Sequence, residues 1–144
     1  MAMGEPSVRQ GACHCGAVRF TVRLAGALDP HRCNCTFCAM RGGVAVSAQL
    51  EDFTITGGED ALRTYQFNTR AAEHHFCAVC GIYTHHRRRM NPDQVSINVA
   101  CLGISPFDFE CLPVFEGLVH PNDRTGEPWS EIAGHLRYEK TAPG

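Results

Sequence analysis

Seven of the nine cysteines fall into three short groups, and those groups limit what the rest of the chain can become. They are Cys13-His14-Cys15-Gly16, then Cys33-Asn34-Cys35-Thr36-Phe37-Cys38, then Cys77-Ala78-Val79-Cys80-Gly81. An odd total argues against a fully paired disulfide framework, and clustered cysteines in a reducing compartment are more often metal ligands. A C-x-C pair supplies half of a tetrahedral site and a C-x-x-C pair the other half. Cys13, Cys15, Cys77 and Cys80 are therefore expected to close one structural four-cysteine zinc site between segments far apart in sequence. Gly16 and Gly81 follow the two pairs, where a tight turn needs a residue free to take positive φ. The rival reading of Cys77 and Cys80 is a redox pair, which normally opens a helix in a βαβ unit; no such pattern surrounds Cys77.

The middle group differs, because Cys33, Cys35 and Cys38 have no fourth cysteine or histidine close on their C-terminal side. Structural zinc takes four protein ligands, whereas a site with three keeps one position for water or substrate. The trio is expected to hold a second, open zinc and to be the catalytic centre. The competing reading is a second structural zinc capped by His31, Cys101 or Cys111. Three thiolates make zinc a weaker Lewis acid than histidines do, and sulfur suits the remaining position. The chemistry that follows is activation of a thiol for attack on a small electrophile, with a histidine as proton donor. His14, His31, His74, His75, His85 and His86 are the candidates.

Around these groups the pattern is that of short strands. Val18, Phe20, Val22 and Leu24 alternate with Arg19, Thr21 and Arg23, and Val95, Ile97, Val99 and Cys101 alternate with Ser96, Asn98 and Ala100. A period of two marks half-buried strands. Further strands are expected at 44–48, at 53–56 and through Leu62, Tyr65 and Phe67, while 72–76 leads into the Cys77 turn and 82–86 leads out of it. One helical turn is expected at 36–40, stopped by Gly42-Gly43. No 12-residue stretch carries a helical stripe, so the expected class is mostly β: several short twisted antiparallel sheets with little helix. The 144 residues make one domain, with 1–10 flexible and 103–144 wrapping the core as loops and short strands.

The net charge of −2 gives no general attraction to nucleic acid or anionic membranes. Seven thiolates on two zinc ions would move it to about −5. No apolar run approaches the roughly 18 residues of a membrane span, and Glu5 and Pro6 interrupt any secretory core. The expectation is a cytoplasmic protein without membrane or nucleic-acid partners. Arg87-Arg88-Arg89 is either a solvated edge or loop or an anion contact, and in a strand its members point to alternating faces.

Taken together, C-x-C-G before a strand, C-x-C-x-x-C and C-x-x-C-G resemble the glutathione-dependent formaldehyde-activating family, which includes centromere protein V. The resemblance runs from Gly11 to about Cys101. It implies an Mss4-like zinc-binding β fold, a structural zinc on Cys13, Cys15, Cys77 and Cys80, and a second zinc on Cys33, Cys35 and Cys38. It also implies a carbon–sulfur lyase forming or cleaving S-(hydroxymethyl)glutathione, with a small thiol such as glutathione and a small aldehyde as partners. Two features depart from the family pattern: Ala39 directly after the trio, and the basic block His85 to Arg89. The alternative function is a non-catalytic zinc module for a protein, a nucleic acid or a small thiol.

Overall fold

The structure is a computed structural model that describes residues 5–88, 92–119, 125–126 and 131–142. Eleven short strands and one helix follow one another: β1 (Ser7–Ala12), β2 (Arg19–Leu24), β3 (Arg32–Cys33), α1 (Thr36–Arg41), β4 (Ala45–Gln49), β5 (Phe53–Gly57), β6 (Leu62–Tyr65), β7 (Glu73–Cys77), β8 (Tyr83–Arg87), β9 (Gln94–Asn98), β10 (Cys111–Phe115) and β11 (Ile132–Arg137). They form three sheets, ordered β1-β2-β5, β4-β9-β8-β7-β6 and β11-β10-β3. The mostly-β expectation holds. One pair departs from the antiparallel rule: β10 runs parallel to β3, with Phe115 opposite Cys33.

The alternation in β2 explains the core. Phe20, Val22 and Leu24 are buried while Arg19 and Arg23 face solvent. The buried face meets Val46 and Ala48 of β4, Val95 and Ile97 of β9, and Leu112 of β10 in one apolar cluster. A smaller cluster of Cys13, Val18 and Cys77 lies beneath the expected four-cysteine site.

Local details differ from the sequence pattern where long-range pairing decides. Ser7–Gln10, polar and expected to be flexible, belong to β1 because they pair with Thr21–Leu24 of β2. Phe67 falls beyond the end of β6. Cys101 leaves the alternation of β9 and sits on a 3-10 turn, Val99–Leu102, closed by Gly103 at φ 76°. Residues 103–119 and 131–142 supply the hairpin β10–β11, whose first strand reaches back to Cys33.

Arg87 and Arg88 do point to different places. Arg87 Nε donates to Pro92 O, whereas the half-buried Arg88 donates to Ser96 Oγ and Ser47 Oγ. Both stand on or beside β8, which is paired on both sides, so neither belongs to a sheet edge. Arg89 lies outside the described residues.

Adjacent histidines on β7 and β8 also split between faces. His75 and His85 stack at 4.5 Å, and His85 packs on Phe53 at 4.4 Å. Burial, aided by His75, holds the His85 pKa down to about 3. The folded state therefore refuses a proton that the unfolded chain accepts below about 6.5. Stability from this group is intact above pH 6.5 and falls by about 1.4 kcal/mol per pH unit below it, levelling near pH 3. His85→Gln is expected to flatten the urea-stability profile between pH 6.5 and 4 relative to the parent chain. An unchanged slope would contradict the assignment.

Candidate metal centres

Cys13 and Cys15 lie in the turn between β1 and β2, Cys77 ends β7, and Cys80 lies in the turn before β8. Their four sulfurs lie within 4.8 Å of one another. Cys15 Sγ is 3.7 Å from both Cys13 Sγ and Cys77 Sγ. A tetrahedral zinc with Zn–S bonds of about 2.3 Å sets its sulfurs about 3.8 Å apart, so the spacing fits that ion. Backbone N–H groups of Val18 and Val79 donate to Cys13 Sγ and Cys77 Sγ, each at 3.3 Å. The bond from Val18 favours the thiolate at Cys13. Gly16 and Gly81 take φ of 81° and 77°, as the turns require. These four cysteines meet where the turn of the hairpin β1–β2 lies against the end of β7.

The second cluster is built on a helix start. Cys33 ends β3, Cys35 is the N-cap of α1, and Cys38 stands in its first turn. The cap carries the geometry: Cys38 N–H donates to Cys35 Sγ at 3.3 Å, and Cys35 N–H to Cys33 Sγ at 3.4 Å. Gly42, at φ 74°, closes the helix. The three sulfurs lie within 4.8 Å of one another, and among the described residues no further cysteine, histidine or carboxylate joins them. His31 is turned to Asp29 O at 2.6 Å, Cys101 is directed to Tyr83 O at 3.6 Å, and Cys111 is exposed at the start of β10. None of the three expected alternatives caps the trio.

Within the trio, hydrogen bonds from Cys33 and Cys38 draw the Cys35 pKa down to about 2. The same contacts push Cys33 and Cys38 up. A metal held there would need all three sulfurs as thiolates, so its binding would release protons.

Two groups around the trio escaped the sequence pattern. Arg41, at the end of α1, donates from its guanidinium to Cys38 Sγ at 3.4 Å, to His74 Nδ1 at 2.9 Å and to His86 Nδ1 at 3.4 Å. Its Cζ lies 3.9 Å from the Tyr83 ring centroid and 4.9 Å from that of Phe37. Guanidinium has no acceptor, so both Nδ1 atoms accept and each imidazole carries its proton on Nε2. Tyr83 Oη donates to the same His86 Nδ1 at 2.7 Å. Burial, reinforced by Arg41, keeps both rings neutral: His74 falls to about 4 and His86 lies well below the usual range. Of the six candidate proton donors, the structure brings these two to Arg41, while His75 and His85 occupy the opposite face and His14 is exposed at the other cluster. The only sequence signal for Arg41 was its position three residues after Cys38.

The second group is Gly117. Its N–H donates to Asn34 Oδ1 at 2.7 Å, and Asn34 N–H donates to Phe115 O. The segment after β10 is thereby laid across the trio so closely that a Cβ at Gly117 would overlap Cys33 Sγ and stand 3.1 Å from Cys35 Cβ.

Arg41 gives a further expected result. Arg41→Met keeps the stem but removes the donor to Cys38 and both histidine contacts. Outer-shell losses of this kind typically weaken a metal site 10- to 100-fold. Chelator competition should show that loss at one metal per chain; equal affinity in both proteins would contradict it.

Comparison with known proteins places the fold and the family. A crystal structure of a Rhodobacter sphaeroides protein superposes with a TM-score of 0.70 at 48% identity, covering 73% of this chain and 98% of that one. A Halomonas elongata protein named "Putative glutathione-dependent formaldehyde-activating enzyme" is 35% identical over 79 residues, 49% of this chain. The chain spans about half the length of that curated relative. The model of the glutathione-dependent formaldehyde-activating enzyme family matches residues 8–111, which contain both cysteine clusters, Arg41, His74 and His86. With all three cysteine groups inside that span, the chain belongs to the glutathione-dependent formaldehyde-activating enzyme family.

Proposed function

We propose that the protein is a zinc-dependent carbon–sulfur lyase that joins a small thiol to a small aldehyde at Cys33, Cys35 and Cys38, reversibly, with glutathione and formaldehyde as the type pair. The carrying observation is the asymmetry of the clusters: four mutually close sulfurs in one, three in the other with no fourth described ligand. Cys13, Cys15, Cys77 and Cys80 would hold one zinc for structure. Cys33, Cys35 and Cys38 would hold the second and leave a position open.

A zinc ion there supplies one thing: it lowers the pKa of an incoming thiol from about 8.5, so that thiolate is present at neutral pH. Forward, the thiolate sulfur forms a bond to the carbonyl carbon and the C=O π pair moves onto oxygen. The proton released by the thiol ends on that oxygen, so R–SH and CH2O give R–S–CH2–OH with nothing left over. His74 and His86, held through Nδ1 by Arg41, would be the donors to the developing oxyanion. Arg41 also offsets the net negative charge of three thiolates on a divalent ion.

The test is glutathione–formaldehyde condensation measured above its spontaneous background, with the zinc-loaded protein and with Cys35→Ser. Turnover in the first that disappears in the second supports the reading. Background rates in both, with no glutathione binding, would replace it by a non-catalytic zinc module.

A further inference from the structure

Three aromatic rings meet beside the open cluster, and the chemistry proposed above uses none of them. Phe37 lies within the C-x-x-C of the trio, Tyr65 ends β6, and Phe67 stands in the loop that follows. Phe37 is 5.6 Å from Tyr65 and 5.4 Å from Phe67, and Tyr65 is 5.6 Å from Phe67. The buried His74 ring supports them, 4.4 Å from Phe37 and nearly parallel to Phe67 at 17°. Phe37 also meets the Arg41 guanidinium.

Single exposed apolar residues are ordinary, but a contiguous patch at a reactive centre calls for an occupant. A purely structural cover would bury its rings, yet Tyr65 is 48% exposed and Phe67 39%. The loop carrying Phe67 is held in place at a cost. Asn68 and Arg70, neither of them glycine, take φ of 54° and 59°, while Arg70 N–H donates to Phe67 O and Gln66 Nε2 to Arg70 O. Left-handed conformations at such residues persist where the surroundings over-determine them. Glutathione and formaldehyde offer nothing flat and apolar to this surface.

We infer that the three-cysteine site takes a substrate carrying an aromatic ring, which packs on the face formed by Phe37, Tyr65 and Phe67. Ring faces and edges recognise one another through their quadrupoles as well as by burial, and each stacked contact adds to the binding of the reacting group. The inference rests on the thiol–aldehyde reading of the site. The ring can arrive on either reactant, as a thiol or as an aldehyde that carries an aromatic ring, and the two sources are separated by experiment.

The zinc-loaded protein is titrated calorimetrically with benzyl mercaptan against 2-mercaptoethanol, and, with glutathione present, with benzaldehyde against formaldehyde. Expected is a preference of tenfold or more for the aromatic member in one arm, which identifies the carrier, together with upfield shifts of the probe's ring protons. In Tyr65→Ala/Phe67→Ala the preference should fall below about threefold, with two zinc per chain retained and 2-mercaptoethanol affinity unchanged. Glutathione binding without aromatic preference, or a preference that survives the double variant, overturns the inference alone. Failure of every thiol to bind overturns the reading beneath it as well.

Discussion

Cys77→Ser should leave the chain unfolded at 25 °C, whereas Cys35→Ser should leave it folded and short of one metal. The difference follows from where the two clusters sit. Cys77 is fully buried at the end of β7, and its site is the junction between the hairpin β1–β2 and the five-stranded sheet. Beneath that site lies only a small apolar cluster of Cys13, Val18 and Cys77. A structural zinc contributes roughly 10–16 kcal/mol of apparent binding energy, comparable to or larger than the roughly 5–15 kcal/mol net stability of a domain. Cys35 is half-buried at the N-cap of α1, outside the main core of β2, β4 and β9. Circular dichroism and metal analysis of both variants read the outcome. A folded Cys77→Ser or an unfolded Cys35→Ser would reverse the roles given to the clusters.

Gly117→Ala is the second large effect, and it is local. The added methyl overlaps Cys33 Sγ, and neither side gives way cheaply. Cys33 is fixed by the β3–β10 pair, and Gly117 is tied to Asn34. The trio should lose its metal affinity by 100-fold or more, while the metal of the four-cysteine cluster, on another part of the molecule, stays bound. Chelator titration should resolve two equal classes of metal in the parent chain and one weakened class in the variant. Unchanged affinity of both classes would show that the segment after β10 does not bear on the site.

These expectations mark what could be read from the residues and what could not. The cysteine groups were legible because metal ligation imposes short spacings that survive in one dimension. The helix turn, expected at 36–40 and found at Thr36–Arg41, and its stop at Gly42 were legible for the same local reason. β2 was legible from its alternation. β1 was not, because Ser7–Gln10 are polar and owe their strand to pairing with β2. Cys101 looked like a strand residue because the alternation of β9 runs on through it, but the Asn98 side chain caps a 3-10 turn there, which Gly103 closes. Gly117 lies 84 positions after Cys33 in sequence, and nothing in its neighbours announces the meeting. The histidine pairs were visible as candidates, yet only the pleat of β7 and β8 shows which of each pair faces Arg41.

The central claim is that the trio holds zinc with a position open to a thiol, and X-ray absorption at the zinc edge tests it directly. Four sulfurs on one ion and three on the other give an average of about 3.5 sulfurs per zinc. Adding a binding thiol should raise that average to about 4.0, with no change in the count of two zinc per chain. An average of 4.0 before any thiol is added, or one that stays at 3.5 under saturating thiol, would contradict it.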